Sequence, residues 1–172
     1  MRLRGKWSSS HTGSKEEMPA SLHFKELLRK LNEHQVKYLV VGAYAVMKYT
    51  EPRYTKDFDI WVEPASANAQ RVFEALAEFG APMNEVQVED FANRGLVFQI
   101  GIEPLRIDIM MGIKGLEFSD AWPQRVETSF EDVAMNLISK EDLLTAKKAA
   151  GRPQDLIDAD QLKLSQDLKT ES

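Results

Sequence analysis

The sequence predicts an α+β fold, a small mixed β-sheet flanked by helices, from three observations. Leu22, Phe24, Leu27, Leu28 and Leu31 recur at helical spacing near the start of the patterned chain. Residues 57–62 (DFDIWV) set acidic residues against apolar ones with the period of two that marks a half-buried strand. Residues 96–102 and 105–111 are two further apolar runs, joined by a connection (GIEP, 101–104) short enough for a hairpin. The resulting order is helix, strand, helix, strand, helix, hairpin and two helices, with no internal repeat and no second domain.

Taken in order, residues 1–18 open with basic residues and continue as WSSSHTGSKEE, a polar stretch with no pattern to bury. They are expected to be a disordered tail, as an added leader or a start mis-assigned upstream of Met18 would be. Residues 19–166 form a single domain, and 167–172 a flexible C-terminus. The first helix spans 21–34. A short buried strand, KYLVV at 37–41, runs straight into Gly42-Ala43 and a helix at 43–49. Pro52 and the charges of TEPRYTK make 50–56 a loop, and the acidic strand follows. Pro64 ends it. Ser66 is placed to cap a helix whose Val72, Phe73, Leu76 and Phe79 form the inward stripe, with Gly80 at its end. After the hairpin, residues 118–130 read as irregular, with Trp122-Pro123 packed as a loop. SKED at 139–142 resembles a capping box and opens a helix to about residue 150. Gly151-Arg152-Pro153 breaks it, and Pro153 fits the first turn of a last helix running to about residue 164.

Composition removes whole classes of function. The chain has 172 residues, 43% hydrophobic and 28% charged, which is ordinary globular usage and excludes wholesale disorder or a long coiled coil. It has no cysteine, so disulfides, thiolate metal sites and a cysteine nucleophile are excluded. Its three histidines, at 11, 23 and 34, have no zinc-site spacing. A net charge of −5 argues against a broad phosphate-tracking surface, though a local basic patch could still bind nucleic acid. No apolar run approaches the roughly 18–20 residues of a membrane span. With no apolar segment behind the basic start to make a signal peptide, a soluble cytoplasmic protein is expected.

The most informative residues are Asp57 and Asp59. Alternation in a strand puts both on one face, about 6–7 Å apart, while Phe58, Ile60 and Val62 face the core. Two carboxylates at that distance repel by about 2–2.5 kcal/mol at an effective dielectric near 20. A divalent cation with a preference for oxygen ligands reverses that penalty. Asp108 stands in the apolar run LRIDIMM, on the face opposite Leu105, Ile107 and Ile109, where an acid is costly unless it opens into a wet or metal-bound site. All three converge if the two strands are neighbours. The same alternation also describes any half-exposed strand.

Gly42 lies where a buried strand meets a helix. Glycine there admits close approach of a ligand to the backbone, and the amides of a helix N-terminus favour phosphate. Steric relief at the turn is the plainer account of the same residue. Arg53 and Lys56, in the following loop, could neutralise phosphate oxygens or simply be solvated. Arg152 is held out of the α conformation by Pro153, which can aim it into a cleft or leave it paired with Asp155 or Asp158.

Together these residues resemble the nucleotidyltransferase fold of the polymerase-beta-like superfamily. The resemblance rests on Val40-Val41-Gly42-Ala43, then Asp57-Phe58-Asp59, then Asp108, and covers residues 36–160. Arg53–Ile60 is similar to the small bacterial members, which include the AbiEii-type toxins. Their later Lys-x4-Arg-x-Lys-Asp element is matched by Lys147, Arg152 and Asp155. Two positions depart from the pattern: Ala43 replaces a second glycine or serine, and Gln154 replaces the element's lysine. The large C-terminal helical region of the longer toxins is also lacking.

The resemblance implies magnesium- or manganese-dependent transfer of a nucleotidyl group from an NTP to a hydroxyl acceptor. In this reading Asp57 and Asp59 hold metal on the triphosphate, and Asp108 binds a second metal or accepts the attacking hydroxyl's proton. Gly42 and Ala43 cradle phosphates, and Arg53, Lys56, Lys147, Lys148, Arg152 and Asp155 complete the nucleotide site. The acceptor is a protein, a small molecule or an RNA end, and a cognate antitoxin or helical partner is expected in a toxin–antitoxin or abortive-infection setting. Ala43 and Gln154 motivate an alternative: a catalytically weak or inactive nucleotide-binding or protein-interaction module on the same fold.

Overall fold

The structure, a computed structural model, describes residues 2–6, 20–53, 55–102 and 105–170. Its centre is a seven-stranded mixed sheet in the order β1-β4-β5-β3-β2-β7-β6. In chain order the elements are β1 (Arg2–Lys6), α1 (Ala20–Glu33), β2 (Tyr38–Val41), α2 (Gly42–Tyr49), β3 (Asp57–Val62) and α3 (Ser66–Phe79). There follow β4 (Val97–Ile102), β5 (Leu105–Met110), the single turn α4 (Phe118–Ala121), β6 (Val126–Phe130), β7 (Val133–Leu137), α5 (Lys140–Ala150) and α6 (Pro153–Thr170).

The middle of the sheet positions the site. β3 pairs antiparallel with β2 on one side and parallel with β5 on the other. β4 and β5 form the expected antiparallel pair, and the Glu103-Pro104 part of their connection lies outside the described residues. All four strands are apolar on the face that receives α1 and α3, whose Phe24, Leu27, Leu28, Leu31, Val72, Leu76 and Phe79 are buried. Asn68 of α3 is buried among them and ties strand ends together. Its Oδ1 accepts from the Lys37 N–H at 2.8 Å, and its Nδ2 donates to the Lys37 and Glu63 carbonyls at 3.1 and 2.9 Å. Its hydrogen bonds allow a polar group to be buried there.

Several expectations need correction. Arg2–Lys6, placed in a disordered tail, forms β1, paired parallel with β4 at the sheet edge. Residues 7–18 of that expected tail lie outside the described residues, and at the other end α6 extends through residue 170. Residues 126–137, read in part as irregular, form the β6–β7 hairpin, with Phe130 paired to Val133. Its two-residue turn is Glu131-Asp132, with Glu131 at φ 52°, and lacks the Asn-Gly or Asp-Gly signature that announces such turns. Leu22, counted on the inward face of α1, is exposed at its first turn. Ser66 is the first residue of α3 and makes no cap, because Ala65 holds the capping position. At α5 the cap is as expected on one side only. Ser139 Oγ accepts from the Asp142 N–H at 3.1 Å, while Asp142 Oδ2 is buried without a hydrogen-bond partner.

Candidate functional site

The acidic face of β3 follows from what lies on its other face. Phe58 is fully buried and stacks on Phe24 with ring centroids 4.4 Å apart; it meets Tyr44 edge-on at 5.3 Å and Phe130 at 6.2 Å. A shift of one residue would put this ring in solvent, so the aromatic cluster fixes Asp57 and Asp59 on the opposite side. β5 lies in parallel register beside them, with Asp59 level with Asp108 and Asp57 level with Arg106. Residues level in neighbouring strands share a face, so three carboxylates and one guanidinium occupy adjoining positions.

The four groups are not equivalent. Asp108 is buried, at 6% exposure, and is chelated by Arg106: Nε donates to Oδ1 at 3.3 Å and Nη2 to Oδ2 at 3.0 Å. Asp57 and Asp59 make no ion pair among the described residues. Burial raises the Asp59 carboxyl from its ordinary 3.8 to about 7, and the charges of Asp108 and Asp57 add to the effect; Lys147 and Arg106 oppose it. Such a carboxylate binds a proton or a cation readily near neutrality. Among the described residues, no three histidine or acidic side chains are gathered to hold a metal ion. Asp57 and Asp59 are the two carboxylates left without a cation of the chain's own, oxygen donors of the kind a divalent ion takes, while Asp108 is engaged by Arg106.

Gly42 touches this site directly. Its φ is +71°, and a Cβ there would overlap the Asp59 carboxylate. Val41, level with Asp59 across the β2–β3 ladder, precedes α2 and supplies no side-chain cap to its first amides. The helix therefore begins against the acidic strand with N–H groups that no capping side chain satisfies, and Ala43 contributes one of these through its backbone.

The second ionic group lies at the α5–α6 junction. Asp155 and Asp158 are 2% and 1% exposed. Lys147 Nζ lies 3.3 Å from Asp155 Oδ1 and 3.1 Å from Asp158 Oδ2. Arg152 Nε donates to Asp155 Oδ2 at 2.6 Å. Arg53 reaches across from the loop before β3, with Nη1 and Nη2 at 2.9 and 3.3 Å from the two Asp158 oxygens. Gln154, standing where the toxin-like element has lysine, donates to Asp158 Oδ1 at 3.0 Å. Burial alone would raise both carboxyls, but the hydrogen bonds from Arg152 and Lys147 at Asp155, and from Arg53, Gln154 and Lys147 at Asp158, bring both below the ordinary value.

The expected residues thus separate. Asp57, Asp59, Asp108, Gly42 and Ala43 come together, and the charges of Lys147 and Arg152 act on Asp59. Arg53 is engaged by Asp158. Asp155 is buried beneath Lys147 and Arg152 and anchors them. Lys56 and Lys148 are exposed and make no ion pair among the described residues. Sequence reasoning missed two participants. Arg106 was legible from the same alternation that placed Asp108, since the two are two residues apart on one strand. Asp158, offered by the sequence as a surface partner of Arg152, is instead buried and paired with Arg53 and Lys147; its burial depends on α6 packing, which no local pattern announces.

Beyond Asp59 on the same face, Trp61 lines a cavity of about 320 Å3 together with Met111, Ile113, Leu116 and Phe118. Its indole N–H is buried without a partner.

A family model described as "Nucleotidyltransferase of unknown function (DUF6036)" matches residues 22–172. Among solved structures, the fold is similar to that of the lincosamide antibiotic adenylyltransferase LnuA bound to lincomycin. The TM-score is 0.51 at 18% identity, over 85% of this chain and 96% of that one. At this identity the likeness is one of fold. No curated protein matches the sequence.

Proposed function

Because the chain belongs to the nucleotidyltransferase family DUF6036, we propose that it catalyses divalent-metal-dependent transfer of a nucleotidyl group from an NTP to a hydroxyl acceptor at the face formed by β3, β5 and the start of α2. The observation that carries this reading is the register that sets Asp108 beside Asp59 while Gly42 abuts the same carboxylate. A phosphate chain and an acidic pair need to meet at one place for this chemistry, and the uncapped start of α2 against the Asp59 carboxylate supports that reading.

Asp57 and Asp59 would hold magnesium, which when bound screens the triphosphate and polarises its α-phosphorus. The amides of Gly42 and Ala43 bind the phosphate tail, as helix N-termini do. Lys147 and Arg152, held by Asp155, offset charge as pyrophosphate departs. The acceptor hydroxyl forms the new oxygen–phosphorus bond, the bond between the α-phosphorus and the bridging oxygen breaks, and the hydroxyl proton passes to Asp108. A carboxylate has lone pairs to spare beyond those a guanidinium occupies, so Asp108 can accept it while paired. The cavity at Trp61 lies further along the acidic strand and has the size of a small-ligand site, which favours a small hydroxylated acceptor. The spacing of Lys147, Arg152 and Asp155 supports kinship with the AbiEii-type toxins, and with it control by a cognate antitoxin.

The test combines binding and transfer. The protein is melted with magnesium and each NTP in turn, then incubated with α-labelled NTP and cell extract. At a hundredfold excess over Kd a bound NTP stabilises by about 2.7 kcal/mol. Stabilisation with label transfer is expected, and Asp59→Asn should reduce transfer by about a thousandfold, the scale on which electrostatic stabilisation operates. Stabilisation without transfer to any acceptor, favoured by Ala43 and Gln154, would identify a nucleotide-binding module instead. Indifference to every NTP would end both readings.

A further inference from the structure

Asp108 is the residue from which a second metal site would be built, and the structure already gives it a cation. Arg106 and Asp108 are two residues apart on β5, so strand alternation aims them at the same face. The guanidinium turns back along the strand and meets both carboxylate oxygens, at 3.3 and 3.0 Å. This two-point geometry is the strong form of a carboxylate–arginine pair. Asp108 is buried while the Arg106 side chain is 38% exposed, so the guanidinium stands between the carboxylate and solvent. The neighbouring strands make room for it. Arg106 is level with Asp57 on β3 and with Gly101 on β4, and a Cβ at Gly101 would meet little.

We infer that Arg106 is the resident counter-ion of Asp108 and takes the place of a second divalent cation, so that the site binds a single divalent ion, at Asp57 and Asp59. The inference rests on the nucleotidyl-transfer reading above and, of the two roles the resemblance implies for Asp108, keeps the proton acceptor and drops the second metal. One guanidinium against three carboxylates leaves a charge that one divalent cation balances. A second ion at Asp108 would have to displace a two-point hydrogen-bonded pair on a rigid strand. Arg106 thereby becomes a positioning residue: it fixes the orientation of the carboxylate that receives the acceptor's proton.

Counting ions tests this. Manganese is titrated into the wild-type protein, Arg106→Gln and Arg106→Lys, alone and with a non-hydrolysable NTP analogue, and bound manganese per chain is measured by electron paramagnetic resonance. The wild type should take one ion in the presence of the analogue, and Arg106→Gln two. Arg106→Lys, which retains the positive charge, should return to one. Two ions in the wild type would overturn the inference and leave the nucleotidyl-transfer reading intact, as would a single ion in a folded Arg106→Gln. No ion in any of the three would overturn both. The wild-type count decides even if Arg106→Gln does not fold.

Discussion

The aspartates at the α5–α6 junction and those on β3 are withdrawn from water within one small domain, and their surroundings treat them in opposite ways. Asp155 and Asp158 are almost wholly buried, yet Lys147, Arg152, Arg53 and Gln154 surround them and keep their carboxyls below the ordinary range. The Asp59 carboxyl is instead raised to about 7, first because burial penalises its charged form and then because Asp108 and Asp57 add two more acids beside it. The first group is a finished structural network, in which the cost of burying charge is met by partners inside the chain. The second is incomplete as the chain stands. What separates the two groups is whether the chain supplies their cations: salt bridges surround Asp155 and Asp158, and none reaches Asp59 among the described residues. Asp108 lies between these extremes, buried beside Asp59 but served by Arg106.

That contrast is most sharply tested by pH. Asp59 holds its proton more tightly folded than unfolded, so its contribution to stability is fully present below about pH 4 and is lost as pH rises toward 7. At 1.36 kcal/mol per pKa unit the loss is up to about 4 kcal/mol in metal-free protein. Asp155 and Asp158 act in the opposite sense, their contribution being present above about pH 4 and lost in stronger acid. Denaturant melts of the wild type and Asp59→Asn between pH 4 and 8 should show the wild-type decline and its absence in the variant. Parallel curves would mean that Asp59 is not unsatisfied and that the two regions do not differ.

Next in size is Asp158→Ala. It should destabilise by about 3 kcal/mol, the low end for breaking a buried pair, since Arg53 can turn to solvent. For a chain of this length that lowers Tm by roughly 6–12 °C, measurable by calorimetry. Gly42→Ala should cost about 1–2 kcal/mol from the left-handed backbone alone. Because its methyl group would also displace the Asp59 carboxylate, the greater loss should be in nucleotide binding, read by isothermal titration. Ser139→Ala, which touches neither group directly, should cost about 1 kcal/mol through the lost α5 cap and leave nucleotide affinity unchanged.

Much of the site was legible because its central strands obey a local rule. In DFDIWV the alternation alone sorts Phe58 from Asp57 and Asp59, and in LRIDIMM it sorts Ile107 from Asp108. The same alternation also places Arg106, two residues before Asp108, on that face. The edges of the sheet were less legible. Arg2–Lys6 has no pattern strong enough to announce a strand and becomes one by pairing with β4. The β6 strand, VETSF, is exposed along most of its length, and its turn lacks a glycine, so nothing local distinguishes it from a loop. Edge strands draw their order from a neighbour's hydrogen bonds more than from their own burial.

The sequence by itself determined which side chains share a strand face, where the chain turns at Gly42, Gly80 and Gly151, and that three aspartates stand in otherwise apolar company. Those are consequences of backbone periods and of a single residue's allowed dihedrals, which act over a few positions. Only the tertiary structure decided that β5 lies beside β3 in the register that sets Asp108 against Asp59, that Arg106 closes on one acid while two remain open, and that α6 buries Asp155 and Asp158 under cations from three separate segments. Each of these depends on contacts between residues far apart in sequence, whose energies come from burial and charge pairing that no local pattern carries.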